Sequence, residues 1–146
     1  MRRSYNRAYA HFIWATWERQ HTIDSRVRDL VYPAIITECN KQKCCVEAIG
    51  GVEDHVHLIV HLSSIASFSS LMKAVKGSSS HLVTEVYPSL FFKWQGGYGV
   101  ETISPEALPN AIRYVQDQQR RHKSKHIEEC WETIDVDDEE ECGDLA

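Results

Sequence analysis

Apolar and polar positions alternate along residues 9–17. Ala10, Phe12, Trp14 and Thr16 fall on one side, and Tyr9, His11, Ile13, Ala15 and Trp17 on the other. A period of two in aromatic and β-branched residues predicts a strand. From Asp24 or Ser25, either of which can cap a helix, the spacing changes. Val27, Leu30, Val31, Ala34, Ile35 and Cys39 recur at helical intervals as far as about residue 40. Pro33 lies inside that pattern and predicts a kink or two helical pieces, since its ring replaces an N–H donor. Residues 44–52 read as a second strand broken by Gly50-Gly51, Glu53-Asp54 as a turn, and residues 55–62 as a third strand.

Ser67 opens a longer helical stretch through Phe68, Leu71, Met72, Val75, Leu82, Val83 and Val86. Gly77 and the serines after it interrupt that stretch, and such a small-residue patch lets another backbone approach closely. Residues 91–94 and 98–102 are short strand candidates around Gln95-Gly96-Gly97. The last helix starts at Ser104-Pro105 or Leu108-Pro109, since proline favours the first helical position, and runs to about residue 123. The order βαββαβ(β)α predicts an α+β fold: a ferredoxin-like (RRM-like) antiparallel sheet with helices on one face, plus an added C-terminal helix.

A length of 146 residues suits one domain, and 42% hydrophobic with 25% charged residues suits a water-soluble core without disulfides. No apolar run approaches the ~18 residues of a membrane span, and Met1-Arg2-Arg3 leads into no apolar leader. The five cysteines include no C-x-x-C pair, so reduced thiols in a cytoplasmic chain are expected rather than a disulfide framework or zinc ribbon. The net charge of −5 misleads, because ten acids and no Lys or Arg lie in residues 126–146. Residues 1–125 carry 16 Lys and Arg against 11 Asp and Glu, a net charge of +5. The chain thus divides into a mildly basic domain, 1–125, and an acidic C-terminal tail, 126–146, of the kind that is usually solvated.

Two local patterns carry chemistry. In His55-Val56-His57-Leu58, strand parity sets two imidazoles side by side, about 7 Å apart at Cα by the strand rise. They can converge on one metal ion, or be two satisfied histidines on a half-exposed strand. In the last helix, Tyr114 and Gln118 are four apart and share a face. A tyrosine hydroxyl can be a nucleophile, and an amide oxygen can complete a hard metal site. The same spacing also fits an amphipathic surface helix with one aromatic on the core. Arg113, Arg120, Arg121, Lys123 and Lys125 make this region basic, as phosphate contact requires. His61 shares the strand parity further along, and His122 lies one turn beyond Gln118. Trp94 and Tyr98 suit base stacking or packing.

Together these patterns resemble the single-tyrosine HUH transposases of the insertion-sequence 200/605 class, which include domesticated repeat-associated relatives. His11-Phe12-Ile13-Trp14-Ala15-Thr16, Gly50-Gly51-Val52-Glu53-Asp54-His55-Val56-His57-Leu58, Lys76-Gly77-Ser78-Ser79-Ser80-His81-Leu82-Val83 and Trp94-Gln95-Gly96-Gly97-Tyr98-Gly99 stand in the family order. Asp117 stands where members often carry Asn.

The resemblance implies cleavage and strand transfer of single-stranded DNA near hairpins at element ends. Tyr114 would be the nucleophile that leaves a 5′-phosphotyrosine. His55, His57 and Gln118 would hold Mg²⁺ or Mn²⁺. Arg113, Arg120, Arg121, Lys76 and Trp94 are candidate DNA contacts. The resemblance also implies a homodimer with composite active sites, sheets joined edge to edge, and the tyrosine helix serving the partner's histidines. A strongly apolar first strand, hazardous as a free edge, agrees with that, as does the permissive Gly96-Gly97-Tyr98-Gly99 stretch. The alternatives are a monomer with its last helix on its own sheet, and a non-catalytic single-strand binder on the same scaffold.

Overall fold

The computed structural model describes residues 4–134. Strand β1 (Tyr9–Ala15) leads to helix α1 (Ser25–Lys41), strands β2 (Cys45–Val52) and β3 (His55–His61), helix α2 (Phe68–Val86) and strand β4 (Gly99–Ile103). Helices α3 (Leu108–Gln116) and α4 (Gln118–Ser124) follow, then a short 3-10 turn at Glu129–Trp131. The sheet is antiparallel in the order β2-β3-β1-β4. This is the expected α+β, ferredoxin-like arrangement. No helix among the described residues is long and apolar enough to cross a membrane.

Asp24 Oδ1 caps α1 by accepting the Val27 N–H at 3.0 Å, and Ser67 Oγ caps α2 by accepting the Ser70 N–H at 3.2 Å. Val27, Val31, Ile35 and Cys39 then bury one stripe of α1. With Leu71, Met72, Val75 and Val83 of α2 they cover the sheet face formed by Ala10, Phe12, Trp14, Val56, Leu58 and Val60. The opposite face carries a smaller cluster, in which Ala111 and Val115 of α3 pack on Ala48, Ile59 and Ile103. The helices therefore lie on both faces, α1 and α2 on one and α3 on the other.

Several local expectations change. Helix α1 runs unbroken through Pro33, because Pro33 and Asp29, whose carbonyl loses its partner, are both exposed and water can serve instead. Strand β2 continues through Gly50-Gly51, which pair with His57 and Val56, and its irregularity lies between Val46 and Ala48. Helix α2 is also unbroken. Ser78, Ser79 and Ser80 return their hydroxyls to carbonyls three or four residues back, and a Cβ at Gly77 would meet open space. Residues 91–94 form no strand beyond a bridge between Trp94 and Thr16. The last helix divides at Asp117 into α3 and α4. Strand β1 lies inside the sheet between β3 and β4, so it is no free edge; the edges are β2 and β4.

Gly50 works differently from Gly77. A Cβ at Gly50 would overlap the backbone carbonyl of Val115, so the bare glycine lets α3 settle on β2. Gly50→Ala is expected to destabilise the chain by about 1–3 kcal/mol through overpacking. Gly77→Ala, in an exposed helical position, should stabilise by roughly 0.5–1 kcal/mol. Urea unfolding of both variants checks the pair, and equal midpoints would contradict the difference in packing.

Candidate functional site

Strand parity puts His11 and Ile13 of β1 and His55, His57 and Ile59 of β3 on the face beneath α3. His11 is opposite Ile59, so it is the diagonal neighbour of His57. Its Nε2 lies 2.8 Å from His57 Nδ1. Burial, then the charge of His57, pushes the His11 pKa down to about 3, so His11 is neutral. It can therefore accept the His57 Nδ1–H. His55 Nδ1 lies 2.7 Å from Asp54 Oδ1, and Arg19 stands 3.7 Å from the other oxygen of Asp54. Each histidine thus has an acceptor at Nδ1, which turns the lone pair of its Nε2 into the site.

Both Nε2 atoms are buried and make no well-aligned hydrogen bond. They converge on one carboxylate oxygen, Glu132 Oε2, at 3.2 and 3.3 Å. The other oxygen, Oε1, lies 3.3 Å from His122 Nε2 and accepts the hydroxyl of Tyr114. Lone pairs on two imidazoles and a carboxylate repel one another unless a proton or a cation stands between them. Burial opposes protonation of His55, but hydrogen bonds and charge from Asp54 and Glu132 raise its pKa. For His57 burial prevails and the pKa falls. Burial would raise the Glu132 pKa, yet its histidine partners hold it well below the usual carboxylate range.

Among the described residues, His55, His57, His122 and Glu132 bring one donor atom each within 4.8 Å of one another. Three imidazoles and a carboxylate suit a divalent cation. The orphaned Nε2 atoms are what such an ion would satisfy.

Tyr114 is buried on α3, and its ring centroid lies 5.8 Å from that of His57. Its hydroxyl accepts the Glu128 N–H at 3.0 Å, and Trp131 packs edge-on at 4.8 Å. Burial first, then the Glu132 hydrogen bond, pushes its pKa up to about 12. Gln118 is buried beyond the Asp117 break. Its Nε2 donates to the Tyr114 carbonyl at 3.2 Å, and its Oε1 lies 3.0 Å from His122 Nε2.

The structure thus gathers His55, His57, Tyr114 and Gln118 in one place, with His122 beside them. His61 lies elsewhere, bonded to Asn6 at 2.8 Å. Arg113 and Arg120 are exposed and bond to Asn110 and Asp117. The Arg121 guanidinium lies over the Tyr114 ring at 4.8 Å. Lys76 turns onto the carbonyls of Gln95 and Gly97 at 2.7 and 2.9 Å. Trp94 is a correction. It is buried against Trp14 and Phe92, and its Nε1 donates to Ser79 Oγ at 2.9 Å, so its ring offers no face to a base. Tyr98 likewise packs near Phe12.

Sequence reasoning missed His11, Asp54 and Glu132. The diagonal pairing of β1 with β3 needed the register. Glu132 was one acid among many in a segment expected to be solvated. Residues 126–134 instead return to the site, while the rest of that segment lies outside the described residues.

Comparison with known proteins agrees with the fold. The family described as "Transposase IS200 like" matches residues 4–118. The ISDra2 transposase TnpA of Deinococcus radiodurans is 24% identical over 114 residues, covering 74% of this chain and 81% of that protein. A crystal structure assigned as a transposase from Deinococcus radiodurans R1 aligns with a TM-score of 0.65 at 23% identity, covering 81% of this chain and 96% of the other. The structure of a REP-associated tyrosine transposase bound to a REP hairpin aligns with a TM-score of 0.62 at 19% identity, covering 86% and 73%.

If His11 and Asp54 aim the two Nε2 atoms, removing either acceptor should loosen the donor set. His11→Ala and Asp54→Ala are each expected to weaken Mn²⁺ binding about 10–100-fold, the usual cost of losing an outer hydrogen-bond partner. Calorimetric titration with Mn²⁺ reads this directly. Wild-type affinity in both variants would show that the imidazoles need no such support.

Proposed function

The chain belongs to the IS200-like transposase family, and from that premise we propose that it cuts and rejoins single-stranded DNA through Tyr114. One observation carries the reading: a buried tyrosine hydroxyl and two buried imidazole nitrogens, neither with a well-aligned hydrogen bond, meet at a single carboxylate. A purely structural core has no reason to gather a phenol and three imidazoles at one point with two nitrogens unsatisfied.

The phenol loses its proton as its oxygen attacks the scissile phosphorus, and the bond from phosphorus to the 3′ oxygen breaks. The strand ends become a 5′-phosphotyrosine and a free 3′-hydroxyl, which takes up a proton. Attack by a 3′-hydroxyl on the phosphotyrosine reverses the step, so strands rejoin without a separate energy source. Mg²⁺ or Mn²⁺ held by His55, His57 and Gln118 would supply charge stabilisation for the phosphoryl oxygens. Gln118 also holds the Tyr114 carbonyl and so fixes the helix that carries the nucleophile. Arg121, over the Tyr114 ring, and exposed Arg113 and Arg120 offer positive charge to the incoming backbone. Tyr114 is buried, so residues 128–132 must shift before a phosphate can touch it.

The DNA is proposed to be single-stranded with hairpins at element ends. A homodimer remains part of the proposal on the strength of the family resemblance, without support from β1. Within the described chain the tyrosine helix packs on its own sheet, and the composite arrangement, in which it serves the partner's histidines, rests on the family resemblance.

Single strands carrying hairpins, incubated with Mn²⁺, should give a covalent adduct on denaturing gels, and mass spectrometry should place it on Tyr114. Tyr114→Phe should give no adduct while still unfolding cooperatively, at a melting temperature lowered by the loss of the hydrogen bonds to Glu132 and the Glu128 N–H. His57→Ala should lose cleavage but keep hairpin binding. An adduct on Tyr98 or Tyr87 would show that another tyrosine attacks. A mixture of His57→Ala and Tyr114→Phe chains should stay inactive if the site is in cis. DNA on the His57→Ala chain would show exchange between subunits, and a sedimenting monomer at micromolar concentration would remove the dimer.

A further inference from the structure

The family match ends at residue 118, yet two of the four donors in the cluster, His122 and Glu132, lie beyond it. Glu132 reaches the site because residues 129–133 are anchored on both sides. Trp131 packs edge-on against Tyr114 at 4.8 Å and against His11 at 5.8 Å. The Thr133 carbonyl lies over Gly99 of β4, where a Cβ would overlap it. The carboxylate is mostly buried, its side chain 14% exposed, and it is pointed inward by these contacts.

Gln118, the donor that the motif suggests, is already engaged through both atoms of its amide. Glu132 Oε2 lies closest to the two imidazole nitrogens. A carboxylate is also a stronger ligand than a neutral amide for a divalent ion, because it brings charge.

We propose that Glu132 is a metal ligand in the DNA-free chain, completing with His55 and His57 a site that takes a borderline transition ion in preference to Mg²⁺, while His122 Nε2, shared between Gln118 Oε1 and Glu132 Oε1, steadies the carboxylate. This rests on the metal reading of the histidine pair above and replaces its third donor. Imidazole-rich donors suit Mn²⁺ and the later divalent ions, whereas Mg²⁺ prefers oxygen and retains its water. The same carboxylate holds the Tyr114 hydroxyl through its other oxygen, so metal and nucleophile share one anchor.

The test is calorimetric titration of the full chain, free of DNA, with Mn²⁺ and with Mg²⁺. Loss of free-Mn²⁺ signal in electron paramagnetic resonance gives a second readout. Wild type should bind Mn²⁺ at least tenfold more tightly than Mg²⁺. Glu132→Gln should weaken Mn²⁺ at least tenfold while the variant still unfolds in one cooperative transition. Glu129→Gln, an exposed neighbour losing the same charge, should leave the affinity as it was. An unchanged affinity in Glu132→Gln, or an equal loss in Glu129→Gln, overturns the proposal. So does unchanged affinity with faster adduct formation, since the carboxylate would then only block the site. If His57→Ala also binds Mn²⁺ like wild type, the metal reading itself fails. If His57→Ala loses binding and Glu132→Gln does not, only the assignment of Glu132 fails.

Discussion

The approach of α3 to β2 depends on position 50 having no side chain. Gly50 pairs with His57 across the ladder, and the Val115 carbonyl fills the space a Cβ would need. Tyr114 precedes Val115 and so comes down beside His57. Were α3 held away by one methyl group, the tyrosine and the imidazoles would lose their shared partner, since hydrogen bonding fails within a few tenths of an ångström beyond its usual distance. A glycine in a strand normally weakens it, and here that loss buys proximity. Gly99 does the same for the Thr133 carbonyl on the other edge strand. Both edges of the sheet are thus pared down where backbone from the C-terminal half lies on them.

Electrostatics complete what packing begins. The buried part of the sheet face under α1 and α2 is apolar, but its opposite carries His11, His55 and His57, all buried. Burying three imidazoles is costly unless their polar atoms are matched. Two of the matches are within the sheet and its turn: His11 serves His57, and Asp54 serves His55. What remains unmatched is the pair of Nε2 atoms, aimed at a common point. Their convergence follows from strand parity, and their tautomers from the acceptors behind them.

Much of this can be read along the chain. Period-two and helical patterns place β1, α1, β3 and α2 closely, and the βαββαβ order implies the sheet. His55 and His57, adjacent on one face, and Tyr114 and Gln118, four apart, are local patterns, and both pairs do lie together. The misreadings have a common origin in solvent and tertiary context. Pro33 looks like a break because sequence does not show that Asp29 can be served by water. Gly50-Gly51 looks like a break because sequence does not show a helix pressed on the strand. Trp94 looks available for stacking because burial against Trp14 is a long-range fact. The inner position of β1 needs the strand order, which a list of elements leaves open.

The acidic segment shows the limit most clearly. By charge alone, Glu128, Glu129 and Glu132 are equivalent, and block acidity normally means a solvated chain. One residue distinguishes the stretch: Trp131, a large apolar ring among acids, which gains more from burial than its neighbours do. Once its ring settles between Tyr114 and His11, the next residue is delivered to the imidazoles. Glu132 is then no longer one of many equal charges. It is held within ion-pair distance of His55, His57 and His122 while Glu128 and Glu129 stay exposed. The boundary between domain and tail, drawn from charge at residue 126, therefore cuts through the site. The better physical boundary follows the packing of Trp131, because the donor that joins the tyrosine to the histidines lies on the far side of it.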